Sequence, residues 1–278
     1  MLIKPGMVQQ KAKDQHLTIT EVLPTQKFLH SNYGRLREHH NAMRFLALAT
    51  DYDGTLAHDG VVDESTLAAL KRLRASGRKL LLVTGRHLPD LFRIFPELSL
   101  FDRVIVENGG VLYRPDTREE RLLCKPPNPR FLAALPERNV PFVAGRTIVA
   151  TWRPHDVAVL ATIRDLGLDL QVIFNKESVM VLPSGVNKGT ALKIAIEDLG
   201  VPAHKIISVG DAENDLPLLR MSECGAAVAN ALPSVKEQAD IVLEKPRGAG
   251  VAELIEHLLR DDLPSHHTGL SLSAIMRR

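Results

Sequence analysis

Apolar and polar positions along the chain follow two rhythms. Short, continuous apolar runs stop abruptly at acids, threonines or glycines. FLALAT (45–50) stops at Asp51, KLLLVT (79–84) at Gly85, RVIV at Glu107 and KIISVG at Asp211. Runs without polar alternation suit strands buried on both faces, as in a parallel sheet. Between them lie amphipathic stretches. DESTLAALKRLRASG carries Leu67, Leu70 and Leu73 at helical spacing, with Asp63 or Ser65 to cap its start and Gly77 to close its end. A short helix is expected around 89–95. NKGTALKIAIEDLG and AGVAELIEHLLR each gather their aliphatic residues on one side. GAAVAN and DIVLE read as further strands, separated by the helical segment PSVKEQA. Strands alternating with helices predict an α/β fold, a doubly wound, Rossmann-like parallel sheet with right-handed crossovers.

The stretch 112–183 has another texture. VLYRP and ERLLCK flank a turn and read as a hairpin, FLAALPER as a helix, TIVATW as a strand and HDVAVLATIRDLG as a helix. LQVIFN and SVMVLP are two strands around KES. The expected organisation is a catalytic core of 44–111 and 184–262, with 112–183 inserted as a small α/β cap. Residues 1–43 read as a poorly ordered leader and 263–278 as a loose tail, their His39-His40 and His266-His267 pairs solvated.

Composition narrows the field without naming a reaction. The 278 residues suffice for one large domain or a core plus a smaller insert. The formal charge of +2 gives no case for nucleic acid or an anionic membrane as main partner. No apolar run approaches the roughly 20 residues that span a bilayer, and the first residues lack the apolar core of a secretory signal. Cys124 and Cys224 lie far apart and read as idle thiols, in keeping with a reducing cytoplasm.

The chemistry collects at the carboxyl ends of the expected strands, where open parallel sheets bind ligands. Four motifs fall there: Asp51-Tyr52-Asp53-Gly54-Thr55, Thr84-Gly85-Arg86, Glu107-Asn108-Gly109-Gly110, and Gly210-Asp211 running on to Asn214-Asp215. Lys188 opens a helix between the last two. Singly each is weak, because an acid at a strand end is usually a turn or helix cap. Together, Asp51, Asp53, Asp211 and Asp215 would repel unless a hard divalent cation joined them, and Mg²⁺ takes carboxylate, water and phosphate oxygens. Lys188, the Thr84 hydroxyl and backbone N–H groups near Gly54 and Gly85 can hold further phosphate oxygens. Such an inventory suits phosphoryl transfer, with a carboxylate as nucleophile and a second, two residues on, as acid and base.

DYDGTLAHDG, LLLVTGR, Lys188 within GVNKGTAL, and GDAENDLPLL resemble, in order, the four motifs of the haloacid dehalogenase-like phosphatases. ENGG, AVANALPSVKEQAD and the position of the insert are similar to the Cof-type, sucrose-phosphatase-like branch with a C2-type cap. The resemblance implies Asp51 as nucleophile, Asp53 as general acid and base, and Lys188 as charge neutraliser. It implies Thr84, Gly85, Arg86 and Asn214 on the substrate, and Mg²⁺ bound by Asp51, the Asp53 backbone carbonyl, Asp211 and Asp215. A small phosphorylated metabolite, such as a sugar phosphate, is the implied substrate of a cytoplasmic, Mg²⁺-dependent phosphomonoester hydrolase.

Other readings fare worse. SGVNKGT lacks the GxxxxGK[ST] order of a nucleotide-binding loop, and the first strand tip has no GxGxxG. A phosphomutase would use the same aspartate and give an isomeric sugar phosphate instead of free phosphate. A non-catalytic phosphate-binding module would not need both Asp51 and Asp53. In the insert, Arg146, Arg153 and Lys176 are candidates to grip the leaving group, although each alone reads first as solvated charge. Trp152 reads first as core. Oligomeric state is not legible.

Overall fold

The computed structural model describes residues 43–263 and the backbone of 270–271. Of the expected leader only Met43 is described, and of the tail only Leu263 and 270–271; Met43 and Leu263 are buried, and both His-His pairs lie outside the described residues.

Nine strands form the large sheet in the order β13-β12-β11-β10-β1-β2-β3-β4-β5. They are β1 (Ala47–Thr50), β2 (Lys79–Val83), β3 (Arg103–Val106), β4 (Val111–Arg114), β5 (Glu119–Leu122), β10 (Ile206–Gly210), β11 (Cys224–Ala227), β12 (Ile241–Val242) and β13 (Leu270–Ser271). All pairings are parallel except β3 with β4 and β4 with β5. The apolar run of β1 feeds both faces. Leu48 joins a core that includes Leu70 and Leu73 of α1 (Glu64–Ala75) and Leu254 and Leu258 of α8 (Arg247–Asp261). Ala47 and Ala49 join the opposite core with Leu192 and Ile196 of α5 (Lys188–Leu199). Helix α1 starts where the sequence indicates: Asp63 accepts the N–H of Thr66 as its N-cap.

The remaining helices are α2 (Leu88–Ile94), α3 (Pro129–Glu137), α4 (Asp156–Asp165), α6 (Leu216–Met221) and α7 (Pro233–Lys236). A second sheet, in the order β6-β7-β9-β8, is antiparallel throughout. Its strands are β6 (Val143–Ala144), β7 (Val149–Trp152), β8 (Leu170–Asn175) and β9 (Ser178–Pro183). Phe131 and Leu135 of α3 and Val159 and Ile163 of α4 cover one face, against Val149 and Val181. Ile148, Met180 and Leu182 form a separate cluster.

The expected insert, 112–183, opens on the hairpin β4–β5. The hairpin β4–β5 is not part of the small sheet. Leu112 pairs with Ile105, so the hairpin extends the edge of the large sheet. Tyr113 and Leu112 bury in the large cores, and a hairpin next to a strand edge gains more by pairing than by standing alone.

Candidate active site

Parallel pairing of β1 with both β10 and β2 decides where the acids emerge. Thr50 lies opposite Val209, and the N–H of Asp51 donates to the Val209 carbonyl at 3.0 Å. Asp51 and Asp211 therefore leave adjacent strand ends, at the point where chain order reverses about β1. Gly54 turns the chain directly beneath them at φ +86°, and a Cβ there would lie 2.5 Å from Asp211 Oδ2. Only glycine suits both the turn and that close approach.

Helix α5 brings the amine. Asn187 caps it, accepting the N–H groups of Gly189 and Thr190, so Lys188 is its first residue and points into the strand ends. Gly189 lets the helix pass against the Pro217 backbone. Lys188 Nζ donates to Asp51 Oδ1 at 2.6 Å and to Asp215 Oδ1 at 2.5 Å, and is almost wholly buried. The other oxygen of Asp215 accepts the N–H groups of Asp211 and Ala212, both at 3.0 Å. Asp211 accepts from the Thr55 hydroxyl at 3.4 Å and from Lys176 Nζ at 3.2 Å.

The charges are unbalanced. Three buried carboxylates face one buried ammonium and the half-exposed Lys176. Burial pushes the Asp51 carboxyl up to about 8; Asp215 and Asp211 add to this, and Lys188 opposes it. Burial and then Asp215 also raise Asp211. The Lys188 ammonium is disfavoured by burial but held protonated by Asp215 and Asp51. Ligand atoms of Asp51, Asp211 and Asp215 lie within 4.8 Å of one another. An all-oxygen donor set with surplus negative charge fits a hard divalent cation.

Asp53 stands apart from this triad. Its carboxylate is gripped by Arg86, Nε to Oδ2 and Nη2 to Oδ1, both at 2.6 Å. Its side chain therefore joins Arg86 and lies outside the acid cluster. Thr84 is buried at the neighbouring strand end and its hydroxyl accepts the N–H of Arg86 at 3.1 Å. Gly85 faces the small sheet, where a Cβ would meet Met180 Sδ at 3.4 Å. Asn214 donates to Asn108 Oδ1 at 3.0 Å, which leaves Asn108 Nδ2 and Asn214 Oδ1 buried without a partner among the described residues. Buried, unpaired amide atoms beside the acids are available to a ligand.

The basic residues of the insert separate. Lys176, in the turn between β8 and β9, lines the mouth of the acid site with Arg86 and Arg247. Arg146 pairs with Glu120 at 2.6 Å, and Arg153 lies over the Phe174 ring at 4.9 Å. Trp152 is half exposed, edge-on to His155.

Two residues here have roles that the sequence left unassigned: Glu107, singled out only as part of a strand-end motif, and Arg247. Glu107 is buried at the end of β3, where its carboxylate accepts the N–H groups of Arg146, Thr147 and Ile148 and the Thr147 hydroxyl. His87 completes the set at 3.3 Å. Burial works against the charge, but these donors outweigh it and hold Glu107 down at about 2. Arg247, which no sequence pattern singled out, enters the mouth from the start of α8.

A family model of haloacid dehalogenase-like hydrolases matches residues 48–143 and 158–255. The chain belongs to the haloacid dehalogenase-like hydrolase family. It is 31% identical over 222 residues to phosphoglycolate phosphatase 2 of Saccharolobus solfataricus, covering 77% of this chain and 92% of that protein. It is 31% identical over 224 residues to the phosphoglycolate phosphatase of Methanothermobacter thermautotrophicus, covering 77% and 98%. A haloacid dehalogenase-like hydrolase from B. subtilis superposes with a TM-score of 0.67 at 20% identity, over 77% of this chain and 100% of that one. A sugar phosphatase of the same superfamily superposes with a TM-score of 0.65 at 20% identity, over 76% and 98%. With this membership goes phosphomonoester hydrolysis on a small phosphorylated substrate. Among the described residues no helix is long and apolar enough to cross a membrane.

Proposed function

We propose that the chain hydrolyses a small phosphorylated metabolite with Mg²⁺, through a phosphoryl group carried briefly on Asp51. One observation carries this reading: Lys188 Nζ sits between Asp51 and Asp215 while Asp211 lies within ligand distance of both.

Asp51, Asp211, Asp215 and the Asp53 backbone carbonyl are the residues to hold the ion. When bound, it screens the meeting of an anionic phosphate with an anionic nucleophile. An Asp51 oxygen attacks phosphorus, the bond to the leaving oxygen breaks, and Asp53 gives that oxygen its proton. Asp53 then takes a proton from water, whose oxygen attacks phosphorus. The Asp51–phosphorus bond breaks and inorganic phosphate leaves. Lys188 fixes Asp51 and offsets charge on the phosphoryl oxygens. The Thr84 hydroxyl, the Gly85 backbone and Asn214 hold those oxygens. Arg86 holds Asp53 through Nε and Nη2 and offers its Nη1 to the incoming phosphate.

The small sheet, with α3 and α4, acts as the cap. Met180 against Gly85 and Lys176 at Asp211 support that role. The relatives' names make phosphoglycolate the first substrate to try, and sugar phosphates the second. Both cysteines are free thiols, in keeping with a reducing cytoplasm.

The test is phosphate release from a panel of phosphomonoesters with Mg²⁺. Asp51→Asn is expected to lose roughly a thousandfold or more in kcat, with a melting temperature close to wild type. Wild-type turnover by Asp51→Asn would refute the nucleophile.

A further inference from the structure

We propose that Arg247 is a specificity-determining residue that binds a second anionic group, on the leaving half of the substrate. The proposal rests on the phosphatase reading above.

The cavity at the mouth of the acid site measures about 540 Å³ and is lined by Asp53, His58, Arg86, Lys176 and Arg247, among others. Its three permanent cations arrive from separate elements: Arg86 after β2, Lys176 between β8 and β9, and Arg247 at the head of α8. Two are already engaged. Arg86 holds Asp53 with both arms of its fork, and Lys176 reaches Asp211. Arg247 is half-buried, and among the described residues its guanidinium has no carboxylate partner. The wall also holds two exposed acids. Asp59 lies 3.4 Å from His58, and no ion pair joins Glu177 to Arg247.

The position of Arg247 is built. Its N–H donates to Asn230 Oδ1 at 2.8 Å, and Asn230 Nδ2 donates to the Gly54 carbonyl at 2.8 Å. Asn230 thus ties the backbone of Arg247 to the turn that carries Asp53. The tie has a cost: Arg247 has φ +50°, the left-handed region where glycine would sit without strain. A long basic side chain kept at a strained backbone position beside a reaction centre points to use by a ligand. Arginine's planar fork matches a carboxylate or phosphate with two hydrogen bonds, and a half-buried fork with no protein acid is open to such a group. The phosphoryl group belongs to the acid cluster, so the anion that Arg247 meets is the substrate's other one.

The test uses Arg247→Gly, which suits the backbone, and Arg247→Lys, which keeps the charge without the fork. Three probes separate the chemistry: phosphoglycolate for a carboxylate, the bisphosphate of ethylene glycol for a second phosphate, and glycerol 1-phosphate for an uncharged leaving group. In wild type, kcat/KM favours an anionic probe over glycerol 1-phosphate. In Arg247→Gly that ratio falls about 10- to 100-fold, the range of a charge-assisted hydrogen bond, chiefly through KM. Arg247→Lys falls between. The anionic probe whose ratio falls further identifies the group. A ratio unchanged in Arg247→Gly, or near one in wild type, overturns the proposal. A wild-type protein that releases phosphate from none of the three overturns the phosphatase reading, and this proposal with it.

Discussion

Glu107 Oε2 accepts the backbone N–H of Thr147 at 2.7 Å, joining the end of a large-sheet strand to the chain just before β7 of the small sheet. Two neighbouring N–H groups and a hydroxyl converge on the same carboxylate. One buried acid therefore fixes how the two sheets meet at this edge. Its neighbours leave no slack: a Cβ on Gly145 would strike Glu107 and His87, and one on Gly110 would strike Thr147.

This clamp has a pH signature. The folded carboxyl is held at about 2, below its ordinary 4.5. Its contribution is present above pH 4.5 and is lost as pH falls toward 2. By linkage it amounts to about 3 kcal/mol. Chemical denaturation of wild type should show stability falling across that window, and Glu107→Gln should flatten the slope. A slope identical in the variant would remove Glu107 from this role.

Lys188→Met leaves Asp51 and Asp215 facing each other without their ammonium. Stripping one partner from a buried ionic cluster costs about 3–5 kcal/mol, and turnover should vanish. Adding Asp215→Asn should recover stability without recovering activity. Denaturant midpoints and phosphate release, measured on the same preparations, separate the two effects.

Metal should act on the fold as well as on turnover. EDTA should silence hydrolysis and Mg²⁺ restore it. An ion that binds the native state alone, at about 100 times its Kd, adds about 2.7 kcal/mol of stability. The melting temperature of wild type should therefore rise with Mg²⁺, and that of Asp211→Asn should not. Indifference of wild type to both reagents would refute the cation site.

Gly54→Ala combines a left-handed backbone with a Cβ 2.5 Å from Asp211 Oδ2. The strain should cost about 1 kcal/mol or more. Displacing Asp211 should weaken Mg²⁺ by about 10- to 100-fold, read from the Mg²⁺ dependence of the melting temperature.

Much of this was legible beforehand because the signals are local. The buried runs at 45–50, 79–84 and 206–210 and the cap at Asp63 are short-range features, and they marked the strands and the first helix. The acids could be assigned to one edge because parallel strands put their carboxyl ends together. What failed to show was pairing across distance. The 111–122 hairpin alternates like any other, and only the free edge of β3 decides which sheet it joins. Arg86 follows a glycine at a strand tip in the sequence, and nothing there reveals that its fork closes on Asp53. Lys176 and Arg247 are single basic residues, one in a turn and one at a helix start, ordinary until the fold brings both to one cavity.

The interleaving of the sheets also sets the order in which the chain can be completed during translation. Strands β6 to β9 are all present by Pro183, so the small sheet has its full set of partners early. Ala47 of β1 must wait for Ile206 before its second neighbour exists. Until then β1 keeps one open, apolar edge, the kind of surface that recruits chaperones or neighbouring nascent chains. Ribosomes pausing at any codon between β2 and β10 would lengthen that exposure, so the yield of folded enzyme should respond to synonymous changes across the insert as well as between codons 184 and 205.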